Sequence, residues 1–303
     1  MKIYCVIVTF NRAQMLQKTL DMLFRNKFNN LIVVDNASID ETDEIINFNK
    51  NRFDNFNLVR LSHNSGGAGG FERGLLSFLQ IAEENDYALL HDDDSWPDFP
   101  CDFLMENLSR NHVKHGCFPV VYPDGELNQM NIPGNAALLR QPLPYLLSRK
   151  ERANRRPRVM EDFKSVKDFD YASFVGYLIR KEEAMKIGVP SGEFFIYSDD
   201  TTYTYIASCK LGPIVNLYSN RMCFVHDCKR STGRSLLTGR FANYEVRNKV
   251  IFLRIGSPNY HLMLSLFFLV KCLVLAPSKS RTILLSFFEG YRAQLNSYLP
   301  RGV

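Results

Sequence analysis

Tyr87-Ala88-Leu89-Leu90-His91-Asp92-Asp93-Asp94-Ser95-Trp96-Pro97 joins a short apolar run to three consecutive carboxylates. The apolar run reads as a strand. Pro97 stops regular structure, so the acids fall on a strand-end loop, where open α/β sheets present their ligands. Adjacent carboxylates repel one another unless a positive charge sits among them. A solvated acidic turn is one reading. The other is a divalent cation carrying a diphosphate, because hard oxygen ligands suit Mg2+ or Mn2+.

On the N-terminal side the chain alternates between β-prone and helical patterns. Ile3–Phe10 is a continuous β-prone run, as fits a strand buried on both faces. Asn11-Arg12 breaks it, and Ala13–Phe24 carries Met15, Leu16, Leu20, Leu23 and Phe24 at helical spacing. Leu31–Val34 is a second apolar run, ending in Asp35-Asn36-Ala37-Ser38 and followed by the amphipathic Asp43–Phe48. Asn57–Leu61 is a third, leading into His63-Asn64-Ser65-Gly66-Gly67-Ala68-Gly69-Gly70-Phe71, with helical pattern resuming over Glu72–Ala82. This rhythm predicts an α/β fold with a parallel sheet and right-handed crossovers. The strand ends then present Thr9–Arg12, Asp35–Ser38, Asn64–Gly70 and Asp92–Asp94. Brought to one edge, the first two hold a base and ribose while the glycine loop lies under a sugar diphosphate. Gly66, Gly67, Gly69 and Gly70 let backbone approach a ligand closely and aim N–H groups at an anion. A flexible turn is the plainer reading. No Gly-Lys-Ser/Thr follows, so this is not a Walker loop, and its place after the third strand departs from the dinucleotide fingerprint.

On the C-terminal side, Cys101–Leu108 has a helical pattern, Cys117–Tyr122 reads as a strand, and Pro123-Asp124-Gly125 as a hairpin turn. Arg149–Arg158 is strongly basic: either a solvated loop, or a clamp for an acceptor diphosphate or an anionic lipid surface. Tyr171–Arg180 reads as a strand in which Gly176 allows close approach. Asp199-Asp200 end the aromatic run Phe194–Tyr197 and precede a helical pattern to Lys210. They cap that helix, an ordinary task for Asp, or supply a base that takes the proton of an attacking hydroxyl. The two roles are compatible. Asn216–Phe224 reads as a last strand leading into Val225-His226-Asp227. Cys223 and Cys228 flank His226, but no second ligand pair completes a zinc site. Phe241–Arg254, Tyr260–Leu275 and Arg281–Tyr298 read as helices. The middle one is apolar nearly all round, with Lys271 its only charge. Beside the basic Lys279–Arg281, it suits packing on the protein or shallow insertion into a cytoplasmic leaflet.

Composition narrows the class. At 303 residues, 46% hydrophobic and 23% charged, the chain is globular, with length for one large domain or two ordinary ones. A net charge of +5 is too small to argue for nucleic acid. Seven scattered cysteines without a CxxC pair favour reduced thiols and a cytoplasmic setting. Met1-Lys2 runs directly into a strand-like segment with no signal peptide, and Leu262–Pro277 falls short of the roughly 20 residues of a spanning helix.

Four segments in order, Val8-Thr9-Phe10-Asn11-Arg12, Val33–Asp40, Asn64–Phe71 and Asp92–Asp94, resemble the inverting glycosyltransferases of family 2. The Gly-Gly-Ala-Gly-Gly-Phe form is most similar to galactofuranosyltransferases and, less so, to rhamnosyltransferases of bacterial surface polysaccharide synthesis. The resemblance implies the GT-A fold, a Rossmann-like, mostly parallel central sheet flanked by helices. It would span residues 1–230, with a nucleotide-sugar half (1–115) and an acceptor half (116–230), followed by a basic, helical C-terminal extension (231–303). It also implies Mn2+ or Mg2+ as cofactor, held by Asp92, Asp94 and His226, with Asp93 nearer the sugar. Asp200 becomes the base and Asp199 an acceptor contact. Thr9, Asn11, Arg12, Asp35, Asn36, Asn64, Gly66, Gly67, Gly69 and Gly70 become donor-binding residues. Many relatives carry arginine where Phe71 stands, so that contact is either absent here or transferred to Arg73. Another acid often follows the base by two residues, where this chain has Thr202. Asn243–Lys249 resembles a segment found after the metal histidine, with Arg247 and Lys249 as candidates to face phosphate.

The implied donor is UDP-galactofuranose, with dTDP-rhamnose second. The implied acceptor is a hydroxyl of a growing, lipid-linked glycan, met by an enzyme peripheral to the inner face of the cell membrane. Two rivals are weighed against this. A sugar-phosphate nucleotidyltransferase needs a Gly-rich, Lys-containing loop after the first strand, which Asn11-Arg12 does not provide. An inactive sugar-nucleotide-binding subunit would not need Asp92–Asp94, Asp200 and His226 together.

Overall fold

The computed structural model describes residues 1–142, 157, 159–218, 222–230 and 237–302. The basic segment 149–158, apart from residue 157, and residues 231–236 lie outside the described residues. The chain opens with β1 (Ile3–Thr9), α1 (Ala13–Arg25), β2 (Asn30–Asp35), α2 (Thr42–Asn49), β3 (Asn55–Arg60), α3 (Gly66–Ile81) and β4 (Tyr87–Asp92). It continues through β5 (Ser95–Pro97), α4 (Cys101–Asn111), β6 (His115–Cys117), β7 (Val120–Val121), β8 (Asp168–Phe169), β9 (Tyr177–Arg180), α5 (Lys181–Ile187) and α6 (Asp199–Leu211). Then come β10 (Ile214–Asn216), β11 (Phe224–His226), α7 (Ala242–Gly256), α8 (His261–Leu275) and α9 (Ser280–Arg292).

The α/β expectation holds. The large sheet runs β3-β2-β1-β4-β9-β6-β10-β8, and its first four strands are parallel. β9 then pairs antiparallel with both β4 and β6, which makes the far half mixed. β1 is apolar throughout because both its faces are covered. Ile3, Cys5 and Ile7 pack with Leu16, Leu20 and Leu23 of α1, while Tyr4, Val6 and Val8 pack with Phe71, Leu75 and Phe78 of α3.

Three expected strands are shorter than their sequence pattern, because the chain changes partners within each. Cys117–Tyr122 divides into β6 of the large sheet and β7 of a separate three-stranded sheet, β5-β11-β7. Asn216–Phe224 divides in the same way, into β10 and β11. Of Tyr171–Arg180 only Tyr177–Arg180 is strand, since Gly176 at φ +76° turns the chain beside the Phe224 ring. Apolarity reports burial, not which sheet a residue joins.

The glycine run also differs from expectation. It is not a loop ahead of the helix but the first turns of α3 itself. Glycine disfavours helices by about 1 kcal/mol each, so tertiary contact has to hold this start in place. That contact is closeness: a Cβ at Gly70 would overlap Val8, and one at Gly74 would meet Val6 Cγ1 at 2.5 Å. Gly67, by contrast, faces open space. Gly70→Ala is therefore expected to destabilise the protein by about 1–3 kcal/mol through overpacking. Gly67→Ala is expected to be neutral to stabilising, by up to about 1 kcal/mol, and urea unfolding of the two variants side by side checks the contrast.

Candidate active site

The acid triplet straddles the end of β4. Asp92 is the last residue of that strand, paired with Val8 of β1, and Asp93-Asp94 form the turn into β5. Asp93 is 2% exposed and accepts a 2.7 Å hydrogen bond from Thr9 Oγ1. Arg12, at the start of α1, spans two of the acids, with Nη1 2.9 Å from Asp93 Oδ1 and Nη2 2.6 Å from Asp94 Oδ2. Sequence placed Arg12 near a donor; the structure shows it as the counter-charge of the triplet.

His226 reaches the triplet through a β-ladder. β11 pairs antiparallel with β5, setting His226 opposite Ser95, and Asp227 N donates to the Asp94 carbonyl at 2.8 Å. His226 Nε2 lies 3.2 Å from the buried Asp94 Oδ1. One ligand atom each from Asp92, Asp94 and His226 fall within 4.8 Å of one another. Two carboxylate oxygens and an imidazole nitrogen form a donor set that fits a divalent cation of the Mg2+ or Mn2+ kind.

Asn131 is a residue that sequence reasoning missed. Its Oδ1 lies 2.8 Å from His226 Nδ1, so a proton there is held and Nε2 is left facing Asp94. Asn128 lies beside the same ring, with Nδ2 3.5 Å from His226 Nδ1 and donating to Cys228 Sγ at 3.4 Å. Both asparagines lie about a hundred residues before the histidine, in a stretch with no periodic signal.

The second acid pair sits in the first turn of α6, one residue past the capping position expected of it: the N-cap is Ser198, which makes no side-chain cap hydrogen bond, while Asp200 Oδ1 accepts from Thr201 N at 2.6 Å. Asp199 is buried and Asp200 partly exposed. The approach to this turn is strained, with Phe195, Tyr197 and Ser198 at φ of +64°, +68° and +63°. Such non-glycine conformations cost about 1–3 kcal/mol each and persist only when surroundings enforce them. Here the enforcement comes from α7. Asn248, fully buried, places Nδ2 2.9, 2.7 and 3.0 Å from the carbonyls of Phe194, Ile196 and Tyr197. Arg247 Nη2 donates to the carbonyls of Glu193 and Phe194 at 3.1 Å. Ala68 N of α3 donates to the Phe195 carbonyl, and a Cβ at Gly66 would overlap that same oxygen. Arg247, read from sequence as a candidate phosphate contact, is thus committed to the turn that carries Asp200.

The electrostatics tie the two acid pairs together. Burial raises Asp92 to about 6 and Asp93 to about 7; Asp94 adds to both, while Arg12 opposes. Burial would also raise Asp94, but His226 and Arg12 outweigh it and hold that carboxyl below its ordinary value. Burial works against charge on His226, yet Asp94 and its other neighbours push it to about 10; a bound cation would take the place of that proton. Burial, then Asp200, hold Asp199 well above its usual value. Burial raises Asp200 to about 6, with Asp92 among the charges that act on it and Lys249 opposing. The two acid clusters therefore share one field.

The remaining expected donor residues line the same strand edge, but several have structural partners. Asn11 Oδ1 accepts from Ile39 N, and Asp35 Oδ1 from Ser38 N. Asn36 is buried, with Nδ2 donating to the Gly66 carbonyl and Oδ1 accepting from Ser65. Asn64 Oδ1 accepts from Gly66 N. Arg73 is exposed on α3, and no hydrogen bond or ion pair among the described residues joins it to the acids.

A family model described as glycosyl transferase family 2 matches residues 4–166. The chain belongs to glycosyl transferase family 2. Among curated proteins, no match was found. The fold of this glycosyltransferase is similar to that of S. aureus TarS 1–349 in complex with UDP, with a TM-score of 0.55 and 16% identity over 99% of this chain and 83% of that one. It is also similar to the mannosyltransferase PcManGT from Pyrobaculum calidifontis in complex with GDP-Man and Mn2+, with a TM-score of 0.52 and 14% identity over 98% and 77% of the two chains. Glucosyl-3-phosphoglycerate synthase from Mycobacterium tuberculosis, in complex with Mn2+, UDP and its product, gives a TM-score of 0.50 and 14% identity over 85% and 81%.

Two variants probe the site directly. Asn131→Ala is expected to weaken Mn2+ binding roughly 10–100-fold, as loss of a ligand-orienting partner does, measured by titration calorimetry. Asp199→Asn is expected to raise the melting temperature at neutral pH. The raised folded-state pKa of Asp199 means that its ionisation above the ordinary 3.8 opposes folding, so the gain should fade as pH falls toward that value.

Proposed function

We propose that this family 2 enzyme is an inverting, metal-dependent glycosyltransferase that moves galactofuranose from UDP-galactofuranose to a hydroxyl of a growing, lipid-linked surface polysaccharide. The observation that carries the reading is the convergence of Asp92, Asp94 and His226 within 4.8 Å, with Asp200 inside the field of Asp92. We assign the catalytic domain to residues 1–230, divided near residue 115 into donor and acceptor halves, and treat residues 231–303 as an extension behind the acceptor half.

In this reading Asp92, Asp94 and His226 would hold Mn2+ or Mg2+, which when bound supplies positive charge to a leaving diphosphate. Thr9 and Arg12 fix Asp93 so that the triplet keeps its shape as charge enters and leaves. The edge formed by Asn11, Asp35 and Asn36 receives the nucleoside, and Gly67 at the start of α3, with open space around it, lets the diphosphate lie close to the backbone. Asp200 takes the proton of the acceptor hydroxyl as that oxygen attacks the anomeric carbon from the face opposite the leaving group. A base with a pKa pushed up to about 6 is ionised at neutral pH and basic enough to accept a proton. Asp199, whose carboxyl burial and Asp200 hold well above its ordinary value, contacts the acceptor. UDP is the nucleotide in two of the three similar structures described above, which favours a uridine donor.

Asp200→Asn is expected to lower transfer by roughly 10²–10⁴-fold while leaving Mn2+-dependent binding of UDP intact. In the wild type, transfer should fall as pH drops below about 6, because the base is then protonated, and hold above it. Thermal shifts with a panel of sugar nucleotides, with and without Mn2+ or Mg2+, test the donor. A shift confined to dTDP-rhamnose would replace galactofuranose by rhamnose. Absence of any shift with UDP or dTDP sugars would overturn the donor assignment altogether.

A further inference from the structure

The C-terminal helices present an apolar surface that the rest of the chain leaves uncovered. On α8 only Leu264, Ser265 and Cys272 are buried. Leu262, Leu266, Val270 (61% exposed) and Val274 (74%) recur every four residues, with Phe267 (55%) next to Leu266, which places them along one side of the helix. α9 also exposes Leu285 and Phe288. A soluble monomer seldom leaves so many large apolar side chains exposed on one helix face, so the surface calls for an occupant.

The charges around it say which. Lys271, Lys279, Arg281 and Arg292 are all exposed on or between these two helices, and their one acid, Glu289, is engaged by Arg247 at 3.4 Å. The two helices meet at a 112° bend, with Lys279 and Arg281 at the corner. No single helix among the described residues is long and apolar enough to cross a membrane. Apolar side chains beside a basic rim, on helices too short to span, fit a surface that is apolar below and anionic above. A second copy of this chain fits less well, because it would set one basic rim against another.

We propose that α8 and α9 form a docking surface for an anionic lipid bilayer, with Leu266, Phe267 and Val270 entering the acyl boundary and Lys271, Lys279 and Arg281 meeting headgroup phosphates. The surface stands one helix away from the candidate base. α7 packs Val246 and Val250 against Cys272, Ile283 and Phe287 on one side, while its Asn248 holds the turn before Asp200 on the other. The surface itself does not depend on which sugar is transferred.

The full chain is tested by co-sedimentation with mixed phosphatidylcholine–phosphatidylglycerol vesicles and with pure phosphatidylcholine vesicles. Binding is expected to the anionic vesicles and to fall with added salt. Phe267→Glu with Val270→Glu should reduce it at least about tenfold, and so should Lys271→Glu with Lys279→Glu and Arg281→Glu. These side chains are exposed, so melting temperature and metal-dependent UDP binding should match the wild type in both variants. A wild type that stays in the supernatant overturns the proposal, as does equal binding by wild type and both variants. So does a lipid-free dimer that Phe267→Glu with Val270→Glu dissolves, which would make the face an interface between copies. UDP binding retained without vesicle binding would remove the docking surface and leave the transferase reading standing.

Discussion

Five carboxylates, Asp92, Asp93, Asp94, Asp199 and Asp200, are drawn toward one edge of the sheet with few cations to balance them. Arg12 and His226 are in contact with the triplet, and Lys249 acts on Asp200 from α7. Burying like charges together is costly, and the raised values of Asp92, Asp93, Asp199 and Asp200 express that cost. The surrounding architecture bears it. α1 begins where Arg12 can bridge two acids, β1 ends where Thr9 can donate to the middle one, and a separate small sheet exists to carry His226 to the third. A divalent cation at Asp92, Asp94 and His226 would relieve the same repulsion, so the feature that strains the protein is the one that equips it.

The acid pair on α6 depends on a different kind of support. Three left-handed, non-glycine residues precede it, and their conformation is dictated from outside by Asn248, Arg247 and the start of α3. The glycines of α3 serve this arrangement as much as any ligand. Without side chains, Gly70 lets the helix lie against β1 and Gly66 lets the Phe195 carbonyl come close. A run that reads in sequence as a phosphate cradle is a packing joint between β1 and the turn that carries Asp199 and Asp200. α7 joins that turn to the C-terminal helices, so those helices are mechanically continuous with the candidate site.

Much of this was legible in the residues. The parallel half of the sheet follows from apolar runs interrupted at regular intervals, because a strand covered on both faces has no polar positions to show. The triplet, the pair and the histidine were recognisable because charge is rare at the ends of buried strands. Asn131 and Asn248 were not recognisable: a single amide has no periodicity, and its importance lies in the groups it happens to face. The split strands at Cys117–Tyr122 and Asn216–Phe224 were invisible for a related reason, since apolarity does not name the sheet.

Sequence alone thus determined the alternation of strands and helices, the placing of acids at strand ends, and membership of a family whose members transfer sugars. These are local properties, set by hydrophobic period and by the cost of burying charge. Tertiary structure decided which acids share a site, which nitrogen of His226 faces them, that Arg12 is a counter-charge and Arg247 a brace, and that one side of α8 is left uncovered. The side-chain contacts among these join groups from 53 residues apart, for Arg247 and Phe194, to about 130, for Asp94 and His226, and no pattern along the chain encodes that distance.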